Sequence, residues 1–500
     1  MDVNQLRQDV AEGTIEIGRL IDLVDSQQKL IQQQQLEIAK LQAEVEKLKE
    51  KNPTDRLDEP FSEKAEEKRQ AKAKGKRKKK KTPRRRGRLS TAEKIARAAW
   101  TEAVYPDDCD PQHCKLSHTR VAWRLEDGRA VLVAYEIYRQ GNRYGQPQGI
   151  PRRGEFGMEI LIALGYQVYT LGLSLDKACQ VLGFFQNLSL KKSQANALLN
   201  QLARVWEREF DTLCLLLANS AVVYCDETGW SINSAWAFLT ETLTVMFYGV
   251  HKDGKTLAEI LDKAVFDGVL VSDDAAIYQG FSQAQKCWAH LLRKAIKLTL
   301  QAPDDSRYRE LTDALLSIYR TAKRVANDKR FIAAGRQRRV TELEQELLVL
   351  CSMHSLEGTE TEGVEDDYRR LVNEIMRLLL AKELFVFVTT EGVDGNNNVS
   401  ERELRDDARR RATGRTNKTP QGAKRQSIIT SVLRTLGKQL GEFTLERVLT
   451  EIQRWAARGR SCFTDQAKAA GLNRPPPDAK QRSLLDRIVL DVDHPEGAAA

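Results

Sequence analysis

The stretch AVVYCDETGW at residues 221–230, read together with GVLVSDDAAIY at 268–278, decides the fold of this chain. Each opens on a short Val-containing run of the kind that forms a buried strand, and each run closes on an acid. Asp226 ends the first run and Asp273 the second. Working outward, the pattern predicts further strands at 235–240, 243–250 and 285–288, with helices after Lys255 and after Asp273. Three strands, a helix, a strand, a helix and a strand is the order of an RNase H-like α/β core. A third acid, Glu401, lies just inside a polar helix that opens NNNVSERELR at 396–405. Two carboxylates at neighbouring strand ends, facing a third on a helix, can hold two divalent cations a few Å apart. Such a pair clamps the attacking and leaving oxygens of a phosphoryl transfer. Oxygen-only ligands favour Mg²⁺ or Mn²⁺ over zinc. Each acid also has a plain reading: Asp226 and Asp273 as turn or helix-capping residues, Glu401 as part of a capping box with Asn398.

The rest of the chain surrounds this centre. In residues 1–52, Val3, Val10, Ile17, Val24, Ile31, Ile38 and Val45 recur every seven residues, with Leu6, Leu20, Leu41 and Leu48 three later. β-Branched a positions with Leu at d predict a parallel, two-stranded coiled coil, and hence a homodimer. Pro53 ends it. Residues 53–90 read as a disordered basic linker. Between Lys68 and Arg88 there are 14 Lys or Arg and no acid; removing them from a total of +9 leaves the rest of the chain at −5. Lys76, Arg77, Lys78, Lys79, Lys80, Lys81, Arg84, Arg85 and Arg86 are therefore expected to bind DNA phosphates without reading sequence.

Residues 91–154 read as a small, partly β module. Its Cys109, His113, Cys114 and His118 lack the paired CxxC spacing of a zinc ribbon, and zinc is not expected. Residues 155–220 are helical. Patterns at 175–185 and 191–206 suggest a helix-turn-helix, with Lys191 and Lys192 opening the second helix toward DNA. Residues 221–294 form the first part of the core, 295–390 a helical insertion, 391–440 the second part with the helix of Glu401, and 441–500 a helix and a polar tail. No run of about 18 apolar residues occurs, so no membrane span is expected. The N-terminus lacks a secretory pattern, and eight scattered cysteines fit reduced thiols in a cytoplasmic protein.

VYCDETGW, LVSDDAAIY, KCWAHLLRKAIKL and NNNVSERELR, in this order and spacing, resemble the transposases of the insertion sequence 66 family. The similarity extends upstream through GLSLDKACQVLGFF and KKSQANALLNQLARVWEREF and covers residues 95–440. It implies a bacterial DDE transposase with an RNase H-like fold, whose catalytic acids fall on Asp226, Asp273 and Glu401. It also implies Mg²⁺ or Mn²⁺ as cofactor, element ends and target DNA as partners, and accessory proteins of the same element. Two departures stand out: relatives carry paired N-terminal cysteines that this chain lacks, and Asp274 stands where relatives often have Gly, so it competes with Asp273. His290, Arg293 and Lys294 after CWA, and Arg402 and Arg405 beside Glu401, are expected at DNA phosphates. Two rivals share these features: an RNase H-like nuclease without strand transfer, and a non-catalytic DNA-binding remnant.

Overall fold

The computed structural model describes residues 89–152, 154–354, 363–472 and 483–489, together with positions 25, 28–29, 31–37 and 39–40. The chain divides into two compact units, residues 1–88 and 89–500. In the first, the described positions are helical and exposed. The remaining heptads, and the basic residues from Lys76 to Arg86, lie outside the described residues.

The second unit opens with α1 (Thr91–Ala96), β1 (Trp100–Val104), β2 (Lys115–Glu126), β3 (Arg129–Gln140) and β4 (Arg143–Tyr144). β2 and β3 are a hairpin closed by Asp127 and Gly128, both at positive φ. Asp-Gly is the pair that a two-residue turn of this hand requires. β1 joins β3 in parallel, giving the order β1-β3-β2 with β4 also on β3.

Helices α2 (Met158–Gly165), α3 (Leu175–Gln186) and α4 (Lys192–Ala218) follow. α4 runs twelve residues beyond the expected end at Trp206, because Phe210, Leu213 and Leu217 continue its buried stripe at helical spacing. A second sheet is built from β5 (Val222–Gly229), β6 (Ser234–Leu239) and β7 (Thr244–Val250), then α5 (Gly254–Ile260), β8 (Val269–Ser272) and β9 (Ala284–Lys286). Its order is β7-β6-β5-β8-β9; the β5–β6 and β6–β7 pairs are antiparallel, and β8 and β9 run parallel to β5. The helix expected after Asp273 is only a 3₁₀ turn, Ala276–Tyr278. Gly280, at φ +86°, stops it and returns the chain to β9.

The helical stretch comprises α6 (Trp288–Gln301), α7 (Ser306–Asn327), α8 (Ala333–Met353), α9 (Val364–Leu380) and α10 (Val386–Thr389). The chain then returns to the sheet through α11 (Asn398–Ala412) and α12 (Pro420–Gln439), and closes with α13 (Leu445–Arg458), α14 (Cys462–Ala469) and α15 (Leu484–Ile488).

α12 solves the edge problem of the second sheet. β7 is a terminal strand whose outward N–H groups need partners. Ser427, Ser431 and Thr435 stand one turn apart on α12, fully buried. Their hydroxyls accept from the backbone N–H of Tyr248 (3.0 Å), Met246 (2.8 Å) and Thr244 (3.1 Å). The spacing of four along the helix meets the spacing of two along the strand, since four helical residues rise about 6 Å and two strand residues about 6.6 Å. Ser431→Ala should strand the Met246 N–H and cost about 1–3 kcal/mol. Urea denaturation of both proteins measures this; a loss below about 0.5 kcal/mol would show that the hydroxyl ladder does not hold the edge.

Candidate active site

Asp226 and Asp273 meet because of strand register. Tyr224 pairs with Val271 across the parallel β5–β8 ladder, so two residues further on Asp226 and Asp273 stand at one level. β8 stops at Ser272, while β5 runs on to Gly229 beside β6. Beyond Asp226 the strand therefore loses its neighbour on that side, and a crevice opens at the carboxyl ends.

Alternation assigns the faces of β5. Cys225 and Glu227 look toward Tyr278: its hydroxyl donates to Glu227, and the Cys225 Sγ lies 3.6 Å from it. Glu227 is also paired with Lys252 at 2.5 Å. Tyr224 and Asp226 occupy the other face. The Tyr224 hydroxyl donates to Gly392 O at 3.1 Å and accepts from Asp394 N–H at 2.8 Å. This is the segment that leads into α11, so the face of Asp226 is the face of Glu401.

Asn397 fixes the start of α11. Its side-chain amide donates to Cys225 O at 2.7 Å, and its N–H to Cys287 Sγ at 3.1 Å. Trp288 N–H donates to Gly395 O at 2.9 Å. These bonds lay the first turn of α11 across the end of β5 and the start of α6. Glu401 sits in that first turn, four residues after Asn397.

Asp226 feels the other two acids. Burial, and then the charges of Glu227, Asp273 and Glu401, push the Asp226 carboxyl up to about 7, while a hydrogen bond from the Glu227 N–H (2.9 Å) works against them. The oxygens of the three acids are nonetheless spread wider than a single ion's shell. Among the described residues, the only three ligand groups within 4.8 Å of one another are Cys287, His290 and Glu401. Arg293 draws Glu401 toward α6. Its Nη1 donates to Oε1 at 3.2 Å and its Nη2 to Oε2 at 2.9 Å, a two-pronged pair. His290 Nε2 lies 3.7 Å from Oε1.

Asp274 is turned elsewhere, into an ion pair with Arg377 of α9. Asp273 Oδ1 accepts from Ala275 N–H at 3.0 Å, and its carbonyl from Lys286 Nζ at 3.2 Å. Lys286 was not anticipated as a site residue. It is 1% exposed, and its Nζ also donates to Ser272 Oγ (3.1 Å) and Tyr278 O (3.4 Å). Burial lowers its pKa. It pins the turn that presents Asp273. Lys286 opens the motif KCWAHLLRKAIKL and Asn397 lies in NNNVSERELR, but within those motifs one reads as a lone cation in a short strand and the other as the middle of an Asn run.

Of the residues expected at DNA, Arg293, Arg402 and Arg405 line a cleft of about 470 Å³ together with Glu401, Lys323 and Asn398. His290 and Lys294 line a second cleft of about 250 Å³ with Asp273, Asp274 and Lys286, where Lys294 pairs with Glu374 at 2.6 Å. Lys191 and Lys192 open α4 as exposed side chains, but Lys192 is engaged by Asp176 of α3 at 3.1 Å. Cys109, His113, Cys114 and His118 do not gather. His113 faces Asp110 at 3.2 Å, His118 faces Ser117 at 3.2 Å, and the Cys114 thiol donates to Asp110 O at 3.4 Å.

With this geometry in hand, comparison with known families gives one match. The family model described as Transposase IS66 family matches residues 153–425, more than half of the chain and all three acids. No curated protein matches the chain.

Proposed function

This chain belongs to the Transposase IS66 family, and we propose that it works as a DDE transposase, with Asp226, Asp273 and Glu401 as the catalytic acids on an RNase H-like core. The sheet order, with three antiparallel strands followed by two parallel ones, supports that core. The observation that carries the site is the convergence of three elements. Register levels Asp226 with Asp273, Asn397 anchors the helix of Glu401 on the same strand end, and Asp226 responds to both other acids.

The donor set fits divalent cations. It is all oxygen, partly buried and mutually repelling, which suits Mg²⁺ or Mn²⁺ better than zinc. Two such cations supply positive charge for the attacking and leaving oxygens of an in-line phosphoryl transfer. The chain's own part is to hold the geometry. Lys286 fixes the Asp273 turn, Arg377 keeps Asp274 out of competition, and Glu227 is neutralised by Lys252 on the opposite face. Arg293 neutralises Glu401 and, with Arg402 and Arg405, offers cations to the DNA backbone. The coil of residues 1–52 would pair two chains, and the basic segment would hold DNA in general. No described helix is long and apolar enough to cross a membrane, and we place the reaction in the bacterial cytoplasm, on nucleoid DNA.

The test is cleavage of DNA bearing the native element ends, with and without Mg²⁺. Asp273→Asn and Glu401→Gln should each lose at least about a hundredfold in rate, because charge stabilisation of this kind is worth several kcal/mol. Asp274→Asn should keep activity. A dead Asp274→Asn with an active Asp273→Asn would reverse the assignment. Joined strands among the products separate a transposase from a nuclease that only cuts.

A further inference from the structure

The helical stretch neutralises many of its cations. Lys294 pairs with Glu374, Lys297 with Asp367 and Arg330 with Asp328. One stripe of α7 does not. Arg320, Lys323 and Arg324 are spaced for one helix face and all exposed, and none makes an ion pair among the described residues. Arg324 donates only to the Thr321 hydroxyl at 3.3 Å. The three line an open groove of about 630 Å³, with Tyr319, Asn327 and Asp328, whose carboxylate is taken up by Arg330 at 2.8 Å. Lys323 also lines the cleft that holds Glu401, Arg293, Arg402 and Arg405. Lys323 thus joins the α7 stripe to the cleft of the third acid.

We propose that this α7 groove is a docking track for the DNA backbone on one side of the cleaved phosphate. The proposal rests on the assignment of the three acids, which sets where the cleaved phosphate lies. From Arg320 to Asn327 the helix rises about 10 Å, the length of about three base steps at 3.4 Å each. The three cations themselves span about 6 Å of that rise, from Arg320 to Arg324, and their long side chains reach beyond it at either end to neighbouring phosphates of one strand. Three exposed cations along one helix flank are the pattern of contacts to the DNA backbone, which position a duplex without reading its bases. The track lies in the helical stretch that separates Asp273 from Glu401 in sequence. That stretch therefore holds the flank of the DNA whose cleaved phosphate lies at the acids.

The experiment uses the full chain carrying Asp226→Asn, so that binding is read without cutting. Arg320→Gln, Lys323→Gln and Arg324→Gln are combined and compared with a control that removes three charges elsewhere (Arg447→Gln, Arg458→Gln and Lys468→Gln). Hydroxyl-radical footprints on element-end DNA are recorded, and affinity is followed across salt. The α7 variant should lose about three nucleotides of protection on one flank only. Its salt slope should flatten by about 2 to 3, the counterion release of three phosphate contacts. The control should keep the full footprint. Equal footprints for the α7 variant and its parent would overturn the proposal, as would an equal loss in the control. So would loss of binding to poly-glutamate with DNA protection unchanged, since the groove would then serve an acidic protein. The assignment of the acids fails by a different measurement, the absence of Mg²⁺-dependent cutting by the unmutated chain. Matching thermal unfolding of all variants keeps misfolding apart from loss of contact.

Discussion

Asp226→Asn should abolish Mg²⁺-dependent cleavage and, in the same protein, raise the thermal stability of the metal-free fold. The two effects have one cause. Burial first, and then the charge of Glu227, raise the Asp226 carboxyl from its ordinary 3.8 to about 7. A carboxyl with a raised pKa favours the fold while it is neutral. That contribution is complete below about pH 4 and is lost as pH rises through about 7, because the unfolded chain ionises first. The loss is at most about 4 kcal/mol, since each tenfold change in proton affinity is worth roughly 1.4 kcal/mol. Asn does not ionise, and its side-chain oxygen can keep the bond from the Glu227 N–H. The variant should therefore melt at nearly the same temperature as the parent at pH 4, and a few °C above it at pH 8 in EDTA. Adding Mg²⁺ should narrow the gap, because cation binding stabilises the parent and not the variant. A variant that melts lower than the parent at pH 8 in EDTA would mean that Asp226 is a structural acid with satisfied partners. A variant that still cleaves would remove Asp226 from the site.

β5, β7 and β8 were legible because they are short, apolar and carry Val, while β6 shows as an aromatic-rich apolar run and the short, polar β9 has little to mark it. The acids that close two of those runs were legible for the same reason: a charge at the end of a buried strand has few places to be except a strand end. Glu401 was legible only through its motif and order, since its helix shows no apolar stripe. α11 turns a stripe of Ser400, Leu404, Asp407 and Arg410 into the protein, and a hydropathy pattern cannot mark a buried face that is mostly polar. The Ser427, Ser431 and Thr435 ladder was missed on similar grounds, because hydroxyls four apart look like a solvated face until a strand edge is set against them. Lys286 was hidden because its worth comes from three acceptors, on Ser272, Asp273 and Tyr278, that only the fold of the turn between β8 and β9 gathers around its ammonium. The second helix of the expected helix-turn-helix was found at its start, but it extends to Ala218 as a buried spine, and packing accounts for most of it.

Asp407→Ala should unfold the chain early and disable the site without touching any of its acids. Asp407 is fully buried on α11, six residues after Glu401. Its Oδ2 accepts from the Tyr248 hydroxyl at 3.0 Å and lies 3.7 Å from Arg434, while its Oδ1 accepts from Arg410 at 3.3 Å. Arg410 in turn donates to Tyr169 O at 2.9 Å and Thr170 O at 2.7 Å, and Arg434 reaches Glu403 at 2.9 Å. One carboxylate thus ties α11 to β7, to α12 and to the segment after α2. Burial raises its pKa, and the two guanidiniums offset that. Removing it leaves Arg410 without a carboxylate and Arg434 with Glu403 alone, a change that costs about 3–5 kcal/mol and on the order of 10 °C in melting temperature. Asp407→Asn keeps the acceptor for Tyr248 but loses the charge, so it should fall between Ala and the parent. At a temperature where Asp407→Asn is still folded, its cleavage rate should drop, because α11 carries Glu401 and tolerances in such sites are below about 1 Å. Mn²⁺ affinity, measured without DNA, should weaken in step. An Asp407→Ala protein that melts with the parent would show that the buried network is not what seats the helix of Glu401 against the sheet.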